Sequence, residues 1–227
     1  MKSREESLES ARNKTFDVII LGGGIVGAGV AQNAASRGLS TLLIEKNDFG
    51  SGTSSKTTKL IHGGLRYLEQ FQFRLTRELC EERGLLEHLA PHLVKDFSFV
   101  MPVTENNKWF SLKARAGLTL YDLLSGQITG LRRHEKLSRN TIAEAAPSLN
   151  INKLAGGLKF HDCISDDARM VIEVIKSAHS EGALAINYLE AKNFQIENGR
   201  VTAGFCPDTG GGGGIGFKFS ARVGDTR

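Results

Sequence analysis

Three glycines between an apolar run and a run of small residues constrain the fold of this sequence most strongly. Residues 16–21 are β-branched and apolar, which predicts a buried parallel strand. The glycines that follow have the spacing G-x-G-x-x-G: Gly22, Gly24 and Gly27. Residues 28–37 predict a helix and residues 40–45 a second strand. Together these segments predict a βαβ unit whose glycine loop opens a helix.

Each glycine of this loop has a distinct expected task in binding a dinucleotide. The first permits a tight turn, the second lets the backbone approach a pyrophosphate, and the third lets helix and strand pack closely. The pyrophosphate is expected at the helix N-terminus, where amides and dipole favour an anion. Glu45 ends the second strand. It is expected to bind an adenosine ribose, and its charge disfavours the 2′-phosphate of NADP. The motif alone leaves FAD and NAD open, and a glycine-rich turn in a nucleotide-free fold is the alternative.

A second loop, residues 50–68, is rich in glycine, hydroxyl and basic side chains. Its hydroxyl groups suit phosphate and polyol oxygens, and Gly63 and Gly64 leave room for a flat ring system near the backbone. Positive charge in the loop suits an anionic substrate or a reduced flavin. The basic residues concerned are Lys59, His62 and Arg66. The alternative is a solvated basic loop with ordinary turn glycines.

The remaining pattern predicts an α/β chain that ends in a β-meander. The expected helices are residues 73–89, 112–124 and 168–180, the last capped by Asp166 or Asp167. The expected strands are residues 98–101, 157–161, 183–188, 193–196, 201–205 and 217–223, with a turn at Asn198-Gly199 and a flexible loop at Gly210 to Gly214. Residues 1–15 are expected to be a polar leader, and residues 16–227 one domain.

Composition and charge exclude several function classes. A net charge of +4 and the short basic cluster at residues 132–134 do not indicate nucleic-acid binding. His88 and His92 flank a proline and lack a third ligand, so no metal is expected. The longest run of apolar and glycine residues, 18–31, is shorter than the roughly 18 residues that span a bilayer. Three scattered cysteines favour a reducing cytoplasm.

Residues 59–68, Lys-Leu-Ile-His-Gly-Gly-Leu-Arg-Tyr-Leu, together with the first glycine loop, resemble the FAD-dependent (respiratory) glycerol-3-phosphate dehydrogenases. The resemblance spans about residues 16–190. It continues through residues 73–75, 90–93, 116–118, 121–124, 162–163 and 166–169. It implies a Rossmann-like FAD-binding fold of the glutathione-reductase type, with part of a substrate domain.

The resemblance also implies an activity and a set of site residues. The activity is oxidation of sn-glycerol 3-phosphate to dihydroxyacetone phosphate, with electrons passed to a quinone or, in the oxidases, to oxygen. The residues implied to contact FAD are Gly22, Gly24, Gly27, Glu45, Lys46, Thr53, Ser54, Ser55, Lys59, His62, Gly63, Gly64 and Leu65. Arg66 and Tyr67 are implied to bind the substrate, with Arg66 as the phosphate partner. No general base is identified, and the oligomeric state stays open.

The implied location is the cytoplasm, or the inner face of a membrane through peripheral attachment. The relatives are longer and return to the Rossmann sheet after a strand like residues 217–223. The sequence is therefore expected to be the N-terminal part of such an enzyme, either a fragment or a prematurely ended product. Two alternatives stay open: a non-catalytic FAD-binding fragment, and a related flavoprotein that oxidises amines or hydroxyacids.

Overall fold

A computed structural model gives the fold and describes residues 4–106, 108–125, 133–198, 200–209 and 215–219. The helices are α1 (Arg4–Arg12), α2 (Ile25–Ser36), α3 (Leu65–Leu68), α4 (Phe73–Leu89), α5 (Lys108–Ser125), α6 (Arg139–Ala145) and α7 (Asp167–Ser180). The strands are β1 (Thr15–Phe16), β2 (Val18–Leu21), β3 (Thr41–Ile44), β4 (Leu60–Ile61), β5 (Lys95–Thr104), β6 (Glu135–Leu137), β7 (Leu154–Ile164), β8 (Leu184–Ile186), β9 (Lys192–Glu197), β10 (Arg200–Cys206) and β11 (Ile215–Phe219). As far as it is described, the chain forms two compact units: Met1–Thr57 with Asp167–Arg227, and Thr58–Asp166.

The first unit is built on a parallel sheet with the strand order β2-β3-β8. In this sheet Val18 lies opposite Thr41, and Leu42 lies opposite Leu184. The predicted βαβ unit and the predicted third parallel strand are therefore confirmed, and the chain has the α/β class expected from its sequence.

Side chains of β3 alternate between two apolar clusters, one on each face of this parallel sheet. Leu43 packs with α2 and α7 on one face, while Leu42 and Ile44 pack on the other face with residues of the meander. Successive side chains of a strand point to opposite faces, so one short apolar strand supports two layers of core. The first unit thus has helices, a parallel sheet and a meander as successive layers.

The meander of the first unit has the strand order β1-β11-β10-β9, in which β9, β10 and β11 pair antiparallel. The single buried strand predicted at residues 16–21 is wrong in two respects. It divides at Asp17, so that β1 joins the meander and β2 joins the parallel sheet. Moreover β2 has one paired edge in the described sheet, and Leu21 is 54% exposed.

The segment expected to be a polar leader contains the helix α1. Leu8 and Ala11 are buried on one side of it, in the same apolar cluster as the meander residue Ile215. At its start the Arg4 guanidinium forms an ion pair with Asp208 at 2.8 Å. Helix α1 therefore belongs structurally to the first unit.

The second unit is an antiparallel sheet with helices. Its strand order is β4-β7-β5, and β6 also pairs with β7. Helix α4 has the bounds predicted from its leucine spacing. Strands β5 and β7 are much longer than predicted, because their pairing runs from Lys95 opposite Ile164 to Thr104 opposite Leu154.

Some predicted features lie outside the described residues: Arg132, Gly199, the glycines 210–214 and residues 220–227. Asn198, the described half of the predicted turn, has a φ of +51°, as a type I′ turn requires. Within the described ranges, no helix is both long and apolar enough to cross a membrane.

Candidate functional site

The glycine loop after β2 is closed by backbone contacts that only glycines permit. Gly22 has a φ of +110°, and its N–H donates to the carbonyl of Ile44 at 2.8 Å. A Cβ on Gly27 would lie 1.9 Å from the carbonyl oxygen of Gly22. The first glycine therefore supplies the turn, and the third lets the first turn of α2 approach it.

A serine of the second loop sits at the N-terminus of α2. The hydroxyl of Ser54 accepts the N–H of Ile25 at 2.9 Å, and a Cβ on Gly24 would lie 3.0 Å from that oxygen. The N–H of Gly50 also donates to the carbonyl of Gly23 at 2.9 Å. Thr53 and Ser55 belong to the same 3-10 turn as Ser54. By helix geometry the next amides of α2 have no acceptor within the helix, so this end can receive an anion.

The side chain of Glu45 joins the ends of two strands of the parallel sheet. One carboxylate oxygen accepts the N–H of Gly23 at 2.7 Å, and the other accepts the N–H of Asn47 at 2.8 Å. Each oxygen has lone pairs in two directions, so a half-buried carboxylate with two amide donors keeps acceptor capacity for hydroxyl groups.

A cleft of about 320 Å³ lies at the carboxyl ends of β2 and β3. Ligands of open α/β sheets bind at such ends. The lining residues are Leu21, Gly22, Ile44, Glu45, Lys46, Leu189, Glu190 and Ala191. Residues 189–191 were not among the predicted site residues. Their position directly after the third parallel strand was the available signal.

In the second unit, two of the predicted cofactor residues sit on exposed backbone around β4. Lys59 is exposed and has a φ of +61°, a left-handed conformation that strains a non-glycine residue. Its carbonyl accepts the N–H of Ser165 at 2.9 Å. His62 follows β4 and is also exposed, so both side chains are accessible on their own unit.

Gly63 is buried for a reason that the sequence did not indicate. A Cβ there would lie 2.3 Å from the sulfur of Cys80 and 2.5 Å from the hydroxyl of Tyr121. Gly64 has a φ of +72°, and a Cβ there would lie 2.3 Å from the ring of Tyr67. Both glycines were predicted to leave room for a ring system near the backbone. Within the second unit, the protein's own side chains occupy the side towards which their Cβ atoms would point.

Beneath Gly63 lies a buried polar group that sequence reasoning missed. The Arg83 guanidinium bonds to the carboxylate of Asp162, and the Tyr121 hydroxyl donates to the same carboxylate oxygen at 2.5 Å. Burial, together with the Asp162 carboxylate, raises the pKa of Tyr121, so the hydroxyl stays protonated. The three residues are far apart in sequence. Tyr121 and Asp162 lie in segments that carry the family resemblance, which was the signal available, whereas Arg83 lies between such segments.

Helix α3 carries the predicted substrate residues. Arg66 is exposed, and its guanidinium lies 5.9 Å from the centre of the Tyr67 ring, a cation–π distance. Leu65 and Tyr67 are half-buried. Beside α3 opens an apolar cleft of about 480 Å³. Its lining includes Leu65, Arg66, Leu68, Phe71, Phe73, Met101, Phe110 and Lys113.

The structure thus brings together one part of the predicted site within each unit. The first unit assembles Gly22, Gly24, Gly27, Glu45, Lys46 and Ser54 around the N-terminus of α2 and the ends of the parallel strands. The second unit holds the run from Lys59 to Tyr67 at β4 and α3. Backbone amides and carboxylate oxygens in the first unit suit a pyrophosphate and a ribose.

Residues 17–217 match the family model described as FAD dependent oxidoreductase. The chain is 43% identical over 204 residues to an alpha-glycerophosphate oxidase of Streptococcus pneumoniae, covering 88% of this chain and 34% of that protein. It is 44% identical over 199 residues to a glycerol-3-phosphate dehydrogenase of Synechocystis, covering 87% and 36%. The chain therefore spans about a third of the length of these curated relatives.

A solved structure supports the same likeness. The glycerol-3-phosphate dehydrogenase from Bacillus halodurans complexed with FAD superimposes with a TM-score of 0.70 at 27% identity, covering 95% of this chain and 35% of that one. The Rossmann-type FAD-binding fold and the resemblance to glycerol-3-phosphate dehydrogenases, both predicted from the sequence, are confirmed.

Proposed function

The chain belongs to the FAD-dependent oxidoreductase family, and on that basis we propose that it carries the FAD-binding part of an enzyme that oxidises sn-glycerol 3-phosphate to dihydroxyacetone phosphate. The observation that carries the proposal is the cleft at the ends of β2 and β3, where Glu45 and the glycine loop meet. FAD is the family's cofactor, as expected from the sequence. The names of the relatives at 43% and 44% identity support the substrate.

The first unit would hold the adenosine and pyrophosphate portion of FAD. The expected contacts are Gly22, Gly24 and Gly27 for the pyrophosphate, and Glu45 and Lys46 for the adenosine end. Glycine at position 24 keeps the helix N-terminus open to a bulky anion, because the nearest group is the Ser54 hydroxyl rather than a side chain of the loop itself. That hydroxyl is both donor and acceptor, so it can turn from Ile25 towards a phosphate oxygen.

The remaining cofactor residues are proposed along the flavin: Thr53, Ser54, Ser55, Lys59, His62, Gly63, Gly64 and Leu65. These residues would hold the flavin, which would supply a hydride acceptor for oxidation of the alcohol carbon. The ammonium group of Lys59 and the imidazole of His62 are exposed on their own unit, and both can donate hydrogen bonds where negative charge develops.

Arg66 and Tyr67 are proposed to bind the substrate. The guanidinium of Arg66 presents a fork of donors that matches a phosphate group, and its exposure leaves that fork accessible. The Tyr67 ring beneath it orients the fork. By holding the phosphate, these residues would orient the secondary alcohol for oxidation.

A quinone is the proposed electron acceptor, with peripheral attachment at the inner face of a membrane as the proposed location. The apolar cleft beside α3, with Phe71, Phe73 and Phe110 in its lining, supports an apolar acceptor. The cysteines Cys80, Cys163 and Cys206 are all buried and unpaired, which supports a reducing compartment. Oxygen is the alternative acceptor, because one relative is named an oxidase.

The test is anaerobic reduction of the reconstituted protein. The purified chain is incubated with FAD, unbound cofactor is removed, and the flavin absorbance is followed during addition of glycerol 3-phosphate, with glycerol as the control. Bleaching by glycerol 3-phosphate supports the proposal, and reoxidation with a short-chain quinone or with oxygen then identifies the acceptor.

Two other outcomes lead to the alternatives. A flavin spectrum without bleaching indicates a non-catalytic FAD-binding fragment. Bleaching by an amine or a hydroxyacid in place of glycerol 3-phosphate indicates a related oxidoreductase. A protein that retains no FAD contradicts the proposal as a whole.

A further inference from the structure

The backbone of Gly63 is held from inside the second unit by two buried side chains. Its N–H lies 2.8 Å from the hydroxyl of Tyr121 and 3.3 Å from a carboxylate oxygen of Asp162. The same oxygen accepts from the Tyr121 hydroxyl and from the guanidinium of Arg83. One carboxylate oxygen therefore gathers three donors, and the loop amide is among them.

This network is a poor stabiliser by itself. Arg83 is 1% exposed, yet its Nε and Nη2 are buried without a partner in the described chain. Buried ion pairs whose remaining donors are unsatisfied can be replaced by apolar groups at little cost to folding. A contribution to stability therefore does not by itself explain the network. Holding the backbone N–H of Gly63 in a fixed position does explain it.

The Gly63 amide lies between the end of β4 and the beginning of α3. Because the contact is made by the backbone N–H of Gly63, it fixes the position of the main chain directly. Gly64 follows with a φ of +72° and is the residue before α3, whose Leu65, Arg66 and Tyr67 come next. The peptide held at Gly63 thus sets the direction in which the short helix leaves.

We propose that Tyr121, with Asp162, is a positioning residue that acts through the Gly63 amide on the segment from His62 to Tyr67. The inference rests on the proposed function, because it assigns this segment to the flavin and the substrate. Tyr121 and Asp162 are themselves buried, so they are proposed to act through the loop rather than on a ligand directly. Their effect is to fix the loop before a ligand arrives, which lowers the cost of binding.

The test compares Tyr121→Phe with Ser125→Ala. Ser125 is also buried on α5, and its hydroxyl bonds to the carbonyl of Tyr121 and to the sulfur of Cys80. The Ser125→Ala variant therefore removes a buried hydroxyl while leaving both acceptors of the Gly63 amide in place. Amide exchange of the full chain is followed residue by residue, and FAD affinity is measured by fluorescence.

In the wild-type chain the Gly63 amide should exchange slowly despite lying in a loop. Tyr121→Phe should speed exchange at residues 62–65 and weaken FAD binding, each about tenfold, because a buried amide loses its better acceptor. Ser125→Ala should change the exchange rate and the FAD affinity by less than about twofold. It should lower the unfolding midpoint about as much as Tyr121→Phe does.

Three results would overturn the proposal: fast exchange of Gly63 in the wild-type chain, equal effects of the two variants on FAD binding, or loosening spread evenly over α4 and α5. If the wild-type chain binds no FAD, the proposed function fails. The exchange data then decide the positioning role alone, and a response at residues 62–65 confined to Tyr121→Phe supports it.

Discussion

The carboxylate of Glu45 accepts the backbone N–H of Gly23 at 2.7 Å, so the end of β3 holds the loop that follows the neighbouring strand. The other carboxylate oxygen accepts the N–H of Asn47. An acidic residue expected only to meet a ribose therefore also organises the glycine loop before any ligand binds. The observed backbone contacts and the proposed ribose contact have different measurable consequences.

Glu45→Gln should lower both stability and FAD affinity. The glutamine amide offers one acceptor oxygen and turns an NH2 group towards the second backbone N–H, which costs about 1–2 kcal/mol of unfolding free energy. Urea unfolding and FAD titration measure the two effects. Glu190→Gln is the control, because Glu190 lines the same cleft while its carboxylate pairs with Lys192 at the surface. If Glu45→Gln were as stable and bound FAD as tightly as Glu190→Gln, the proposed role of Glu45 would be contradicted.

Gly27→Ala and Gly29→Ala should change stability in opposite directions, although both lie in α2. A Cβ at position 27 would lie 1.9 Å from the Gly22 carbonyl, and at position 29 it would meet nothing within 4 Å. We expect the first variant to lose about 3 kcal/mol or more through strain and the second to gain roughly 0.5–1 kcal/mol from helix propensity. Thermal unfolding gives the comparison. Equal shifts would mean that the loop and helix do not approach as described.

Arg66→Ala should selectively weaken the phosphorylated substrate. Loss of a charge-assisted contact to phosphate costs roughly 1.5–3 kcal/mol, or about ten- to a hundredfold in affinity. The glycerol 3-phosphate concentration needed to bleach the flavin measures this loss. Arg74→Ala is the matched control, because Arg74 is 94% exposed and pairs with Glu78 on α4. If both variants behave alike, Arg66 does not bind the phosphate.

Stability should fall in alkaline solution, partly through Cys163. Burial and the nearby Glu87 carboxylate raise the pKa of Cys163 to about 12, while an unfolded thiol titrates near pH 8.5. Between these values the unfolded chain holds fewer protons, so this contribution is complete below about pH 8.5. It is lost towards pH 12, with a slope of about 1.4 kcal/mol per pH unit.

Urea unfolding of the wild-type chain and of Cys163→Ala from pH 7 to 10.5 tests this expectation. Cavity formation should lower the stability of the variant at every pH, but its decline above pH 8.5 should be shallower. Parallel curves would show that Cys163 does not contribute. Cys206, whose pKa burial raises to about 11, titrates in both proteins and cancels in the comparison.

Helix α4 and the βαβ unit could be predicted from patterns within short stretches of sequence. Helix α4 was predicted with its observed bounds because leucines recur on one face, and the βαβ unit followed from the glycine spacing. Strands β5 and β7 were predicted too short, because cross-strand partners rather than local propensity extend their ends. The break at Asp17 was missed because both sides of it are apolar and extended.

The contacts between Glu45 and the glycine loop involve residues of one sequence motif, whereas the network at Gly63 does not. Glu45 and the first glycines follow from one motif. The support beneath Gly63 comes from Arg83, Tyr121 and Asp162, which lie on α4, α5 and β7 and meet only when the second unit folds. No spacing rule joins such residues, because their proximity is produced by sheet and helix packing over the whole unit.

The chain leaves the first unit after Thr57 and returns to it at Asp167, where the Thr57 hydroxyl donates to the Asp167 carboxylate at 2.5 Å. Strand β3 pairs with β8, about 140 positions further along, while every described strand pair of the second unit is complete by Ile164. On the ribosome, the inserted unit can therefore fold while the parallel sheet still lacks a strand. The cleft at the ends of β2 and β3, which is lined by residues 189–191, therefore becomes complete only after the second unit has been synthesised.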